Sequence, residues 1–257
     1  LSLRPLQRLR PKPKAPQPPN RSKETSFGNP IASMADTPCP FETFPGLDLP
    51  TIRAAFIQRA PDVDVQADRQ VALDRLKSIH LATMESAGFA GMPLAQAEQV
   101  HGTHVRIVTK ETPFPVPDCD ALVTTETGLC LGIYVADCAA VYLADRRGRG
   151  IALAHSGRKG TELGIVTQTI ETLCATSGAA PRDIIMQISP CIRPPHYEVD
   201  FAANILAQAK SAGLMEIHDC GYCTASNPAA YYSYRREMGR TGRHLALLAI
   251  STTPSPS

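Results

Sequence analysis

Nothing in this 257-residue sequence is apolar for long enough to cross a membrane. A spanning helix needs ~18 such residues, and Asp137 interrupts the longest run, so no membrane partner is expected. No GxGxxG follows a strand-like segment, which removes a dinucleotide-binding fold from consideration. Cys220-Gly221-Tyr222-Cys223 has no second CxxC to complete a zinc site and no strand-helix setting for thiol-disulfide exchange. The pair reads as structural thiols. The apolar core of a secretory signal is missing as well. With eight cysteines, several inside apolar runs, reduced thiols in a cytoplasmic setting are expected and a disulfide framework is not.

Acidic residues are nearly missing from residues 1–33, which carry seven Lys or Arg against Glu24 alone, with six prolines in the first twenty positions. Proline removes a backbone donor and fixes φ, and the tract has too few apolar residues to build a core, so this tail is expected to be disordered. It is too rich in proline for the amphipathic helix of a transit peptide. Met34 opens a more ordinary sequence, to which residues 1–33 read as an upstream extension. The tail contributes +6 to a total of +2, which leaves about −4 on residues 34–257. A mildly acidic body argues against a nucleic-acid partner. About 220 residues can bury one sizeable core, so residues 34–257 are taken as one domain.

What is present centres on Leu129 to Gly160, LCLGIYVADCAAVYLADRRGRGIALAHSGRKG. Two apolar runs, Leu129 to Val135 and Ala139 to Ala144, flank Asp137 and Cys138. A third, Gly150 to Ala154, leads into His155. Runs of this length between turn residues suit buried strands. Cys138 and His155 then each fall at a strand end, where a side chain can face a cleft. His101, in Gln99-Val100-His101-Gly102 just before the alternating Val105 to Val108, is a third candidate. One thiol and two imidazoles from separate strands form the ligand set of a catalytic zinc with one position open. The gaps are long and match no compact zinc-finger spacing, and a cysteine in an apolar segment is more often a small buried hydrophobe. On spacing alone both readings stand.

QVHGTHV, DALVTTETGLCLGIYVADCAAVYLAD, AHSGRKG, ISPCIRPPHYEVD, YYSYRRE and TGRHLALLAI follow one another along the chain. This ordered set, over Gln99 to Ile250, resembles the laccase-domain family, whose members are variously called bacterial polyphenol oxidase, peptidoglycan editing factor and zinc-dependent purine nucleoside phosphorylase. The resemblance implies that His101, Cys138 and His155 are the metal ligands and the catalytic residues. It implies zinc as the cofactor. Copper is the alternative, because Cu(II) outcompetes zinc at N/S sites by affinity. The fold it implies is α/β (mixed α+β), a single domain of layered mixed β-sheets covered by helices, and strands alternating with helices from Ile151 to Ile188 point to the same class. One departure stands out: family blocks of the HAGWRG type carry Trp-Arg where this chain has Arg158-Lys159. Ile52 to Leu76 also lacks the Gly-Gly turn of many members.

Thr161 to Ser177, with Leu163, Val166, Ile170 and Leu173 on one face and Gly178 as C-cap, reads as a helix. Its start at Gly160 and Thr161, with Arg158 and Lys159, is expected to seat phosphate beside the metal, against the plainer reading of a glycine-rich strand-to-helix turn. Lysine offers a point charge where arginine offers a planar fork, so the grip should be weaker than in typical members. Asp68 to Gly88 reads as a helix on Val71, Leu76, Ile79 and Met84, and Ile52 to Gln58 as the first strand. Ile184 to Ile188 is a strand and Val199 to Ala212 a helix. Pro228 to Met238 reads as a further helix presenting Tyr231, Tyr232, Tyr234, Arg235 and Arg236, and Leu245 to Ile250 as the last strand. The resemblance implies that at least one of the paired arginines packs near the cleft, with Arg236 taken as the substrate contact.

Four functions remain open at this point. The leading one is a zinc-dependent purine nucleoside phosphorylase acting on adenosine, inosine or methylthioadenosine with phosphate, with adenosine deaminase activity beside it. The second is a copper polyphenol oxidase. Its mononuclear and trinuclear centres need many histidines, and this chain has seven, of which His80, His218 and His244 lack any motif. The third is a cysteine hydrolase with Cys138 as nucleophile and His155 as base. The fourth is a zinc-stabilised module without catalysis.

Overall fold

The apolar runs are strands with both faces covered. The computed structural model describes residues 38–251; the tail at residues 1–33 and the expected boundary at residue 34 lie outside them. The chain opens with β1 (Phe41–Glu42), β2 (Ile52–Ile57) and α1 (Arg69–Met84), followed by β3 (Leu94–Gln96), β4 (Val105–Ile107), β5 (Ala121–Thr124) and β6 (Cys130–Val135). It continues through β7 (Ala139–Asp145), β8 (Ile151–Ser156), α2 (Arg158–Glu162), α3 (Ile165–Ser177) and β9 (Ile184–Ile188). It closes with α4 (Phe201–Ser211), β10 (Glu216–Asp219) and β11 (His244–Ile250). One mixed sheet has the order β1-β2-β11-β6-β3 and the other β10-β9-β7-β8-β5-β4.

Successive side chains of a strand point to opposite faces, and here each face meets a different core. Ala246 and Leu248 of β11 join Phe56, Leu131 and Ile133 against Tyr142 and Leu153 of the other sheet. Leu245 and Leu247 face Leu76 and Ile79 of α1 instead. Val141 and Leu143 of β7 pack on Ile170 and Leu173 of α3 and Ile205 of α4. The result is four layers, helix, sheet, sheet, helices, in the mixed class the sequence implies. Double-sided burial is why these strands read as continuous apolar runs and not as alternation. Among the described residues no helix is long and apolar enough to cross a membrane.

Three local expectations are corrected. The helix expected over Thr161 to Ser177 is two helices: Gly164 takes a left-handed turn (φ 84°) between α2 and α3, and Leu163 is exposed rather than on the buried face. Val71 likewise points to solvent, while Leu76, Ile79 and Met84 of α1 are buried. The third concerns Pro228 to Met238, which forms irregular turns. Three of its backbone donors are taken by side chains: Tyr232 N donates to His244 Nε2 and Arg235 N to Asp137 Oδ2, both outside the segment, and Ser233 N to Glu237 Oε2 within it. Tyr231, Tyr232 and Ser233 are also buried in succession, which one helix face cannot do.

Two buried histidines give the fold an acid limit. His80 of α1 is 2% exposed, stacks on Tyr134 at 5.8 Å, and has no hydrogen-bond partner on either ring nitrogen. Burial lowers it to about 4 and lowers His244 to about 3. Both folded values lie below the unfolded one, so below pH ~6.5 the unfolded chain takes up protons that the fold refuses. Stability then falls by up to ~1.4 kcal/mol per pH unit for each ring between pH ~6.5 and 4. His80→Phe keeps the stacking and removes one titration. Urea unfolding at pH 5 and pH 7.5 should show a smaller loss in the variant by ~2 kcal/mol; equal losses would refute this account.

Candidate metal centre and its cavity

Two loops and the end of β8 bring His101, Cys138 and His155 together, with one nitrogen or sulfur donor from each within 4.8 Å of the others. His155 lies inside β8 near its end, opposite Ala140 of β7, so the ladder holds it close to Cys138 at the start of that strand. The β6–β7 turn that presents Cys138 needs Asp137 in the left-handed region (φ 81°), a conformation asparagine and aspartate tolerate better than most residues. Gly157 supplies the space: a Cβ there would stand 2.5 Å from Cys138 Sγ. His101 is itself left-handed (φ 59°) in a loop whose amides converge on one carboxylate.

That carboxylate is Asp120, fully buried at the start of β5. It accepts from Val100 N at 3.2 Å, His101 N at 2.9 Å and Gly102 N at 2.7 Å, and from His155 Nδ1 at 2.8 Å. Burial would raise Asp120, but the His155 and amide donors outweigh it and hold the carboxyl below its usual range. With Nδ1–H committed to Asp120, His155 turns Nε2 toward the cluster, the arrangement typical of metal-ligating histidine. Burial also works against the Cys138 thiolate, yet the charge of His155 and hydrogen bonds from His101 and His155 bring the thiol down to about 6. The partner ring moves up: burial lowers His155, and the Cys138 thiolate and Asp120 more than reverse it. A thiolate flanked by two imidazoles, one fixed in tautomer, fits a zinc-type ion in ligand number and donor chemistry.

The cluster lines a cavity of about 610 Å³, within the range of small-molecule sites. Four arginines line it as well, Arg69, Arg158, Arg235 and Arg243, against Asp137 as the acidic member. Arg158 pairs with Glu162 at 2.9 Å, and Arg235 pairs with Glu198 at 3.0 Å while lying over the Tyr197 ring at 5.4 Å. Of the residues expected to hold substrate, Arg158 lines the cavity. Lys159 is exposed and is not among the lining residues. Arg236 is exposed too, with Nη1 on the Ala225 carbonyl, and its neighbour Arg235 takes the cavity wall. The expected phosphate seat at Gly160 and Thr161 starts no long helix, because α2 ends at Glu162. Asp120, Gly157 and Arg243 are not singled out as site residues by the sequence, although each lies in one of its motifs, DALVTTETG, AHSGRKG and TGRHLALLAI.

A purine nucleoside phosphorylase of Deinococcus radiodurans is similar at 31% identity over 236 residues, 80% of this chain and 91% of the relative. One of Mycobacterium tuberculosis is similar at 29% over 187 residues, 63% of this chain and 74% of the relative. The crystal structure of YlmD from Geobacillus stearothermophilus shares the fold, with a TM-score of 0.73 at 23% identity over 81% of this chain and 94% of that one. Residues 67–204 and 199–251 match the family described as multi-copper polyphenol oxidoreductase laccase, and to that family this chain belongs.

Proposed function

We propose that the protein is a zinc-dependent purine nucleoside phosphorylase acting on adenosine, inosine or methylthioadenosine, in a reducing, cytoplasmic setting consistent with its eight free cysteines. The observation that carries this reading is the His101, Cys138 and His155 cluster on the wall of a cationic cavity of nucleoside size. The names of the relatives support it. In phosphorolysis a phosphate oxygen bonds to the ribose C1′ as the bond from C1′ to the base nitrogen breaks, and the departing base keeps the electron pair and takes a proton. The Tyr197 and Tyr234 rings offer flat surface to a purine, and the arginines draw the anion in. Asp120 keeps the His155 ring in one orientation throughout. A bound zinc ion would supply Lewis acidity beside the substrate, chemistry that also suits adenosine deamination.

The older name of the family implies several coppers. Among the described residues, however, this cluster is the single group of three or more such side chains close enough to hold a metal. His104 pairs with Asp118 and His218 with Glu216, and His244 is buried in the core. A second reading has its own support: Asp120, His155 and Cys138 are arranged as the acid, base and thiol of a cysteine hydrolase. The two readings part on the state of the thiol, since a thiolate bound to metal is a poor nucleophile.

Purified full-length protein should carry about one zinc per chain, with binding that weakens in acid as the ligands protonate. Asp120→Asn should weaken zinc affinity by ~10–100-fold, and Cys138→Ala should lose the metal; unchanged zinc content in Cys138→Ala would rule the site out. Inosine or adenosine should release free base only when phosphate is present. Base release independent of phosphate, or none, would end the phosphorylase reading. Iodoacetamide should alkylate Cys138 slowly in the zinc-loaded protein and faster after chelation. Rapid modification of the loaded protein would favour the hydrolase.

A further inference from the structure

The four cavity arginines are not equivalent. Arg158 and Arg235 spend their charge on Glu162 and Glu198 at the rim. Arg243, immediately before β11, is 9% exposed, and its Nη1 donates only to the backbone carbonyls of Thr241 (2.8 Å) and Gly242 (2.9 Å). Its guanidinium lies over the Tyr234 ring at 5.7 Å. Among the described residues it has no ion-pair partner. Asp137, the acid on the same cavity wall, gives its oxygens to Thr224 Oγ1 and Arg235 N, both at 2.7 Å. Burial lowers Arg243 and the charge of Arg69 lowers it further, while Tyr234, Cys138 and Asp137 offset part of this without forming an ion pair, so two like charges face the same cavity. Arg69 is the first residue of α1, the helix end where the dipole disfavours a cation.

A buried charge without a partner is costly to the fold. An arginine fork is matched in shape and charge by a tetrahedral oxyanion. We propose that Arg243, assisted by Arg69 at the mouth, is the seat of inorganic phosphate in this cavity, in place of the Arg158-Lys159 turn. This rests on the cavity being the reaction site, and it specifies where the anion enters it.

The test is calorimetric titration of inorganic phosphate into the zinc-loaded full chain without nucleoside. Arg243→Met should weaken phosphate binding at least ~10-fold, as loss of a charge-assisted donor pair requires. Arg243→Lys should restore part of it, Arg69→Ala should weaken it several-fold, and Lys159→Ala should leave it unchanged. Zinc content and far-UV circular dichroism show whether Arg243→Met has folded, and the exposed Arg69→Ala decides the matter if it has not. Unchanged binding in the Arg69 and folded Arg243 variants, loss of binding in Lys159→Ala, or no phosphate binding by the wild type would overturn the seat. Binding lost through these arginines in a protein that releases no base from nucleosides would leave the seat standing and remove the phosphorylase reading.

Discussion

Asp120 is the group on which the centre depends. A fully buried carboxylate is tolerable only when its lone pairs are filled, and here four donors fill them. Three are consecutive amides, so satisfying the carboxylate winds residues 100–102 into the tight loop that carries His101. The fourth is the His155 ring, which is thereby fixed in tautomer and direction. One interaction therefore positions two of the three donors. The third follows from the ladder, since β5, β7 and β8 are paired neighbours, and the pairing of Ala140 with His155 brings the start of β7 to the end of β8.

How much of this was legible in the chain differs by kind of residue. Cys138 and His155 stood out as candidates because each breaks or follows an apolar run, and a run buried on both faces is hard to mistake, whereas the family resemblance was needed to join them with His101 as one ligand set. Asp120 did not stand out. In Asp118-Cys119-Asp120 it reads as one acid of a polar turn, and only the fold shows that Asp118 is exposed while Asp120 has no access to water. The segment from Pro228 to Met238 misled for a related reason. Its composition allows a helix, but His244, Asp137 and Glu237, from other parts of the chain or its own end, take the amide protons that a helix would use. Side-chain capture at long range has no local signature.

Arg243 shows the same limit from the side of charge. A cation in a sequence is by default solvated, and although Arg243 lies in the TGRHLALLAI motif, nothing local marks it as buried. The fold places it behind Tyr234 with carbonyls for company, while Lys159, which looked better placed by motif, faces solvent. That Arg235 lines the cavity and Arg236 does not has the same origin, because in an irregular segment adjacent side chains diverge without a period to predict them.

The charge distribution gives these placements a direction. Residues 34–257 carry about −4, yet the cavity wall holds four arginines and one aspartate. Glu198 lies between Arg158 and Arg235 and pairs with both, so much of the rim field is cancelled there. What survives is the field of the two unpaired arginines, and for Arg243, buried where Arg69 is exposed, screening by salt is weakest. Against it stands the negative charge that Cys138 acquires beside His155. An occupant of the cavity thus meets a cationic patch and a thiolate-imidazole cluster within one volume. That polarity suits a small anion seated at the guanidinium beside a neutral, flat partner.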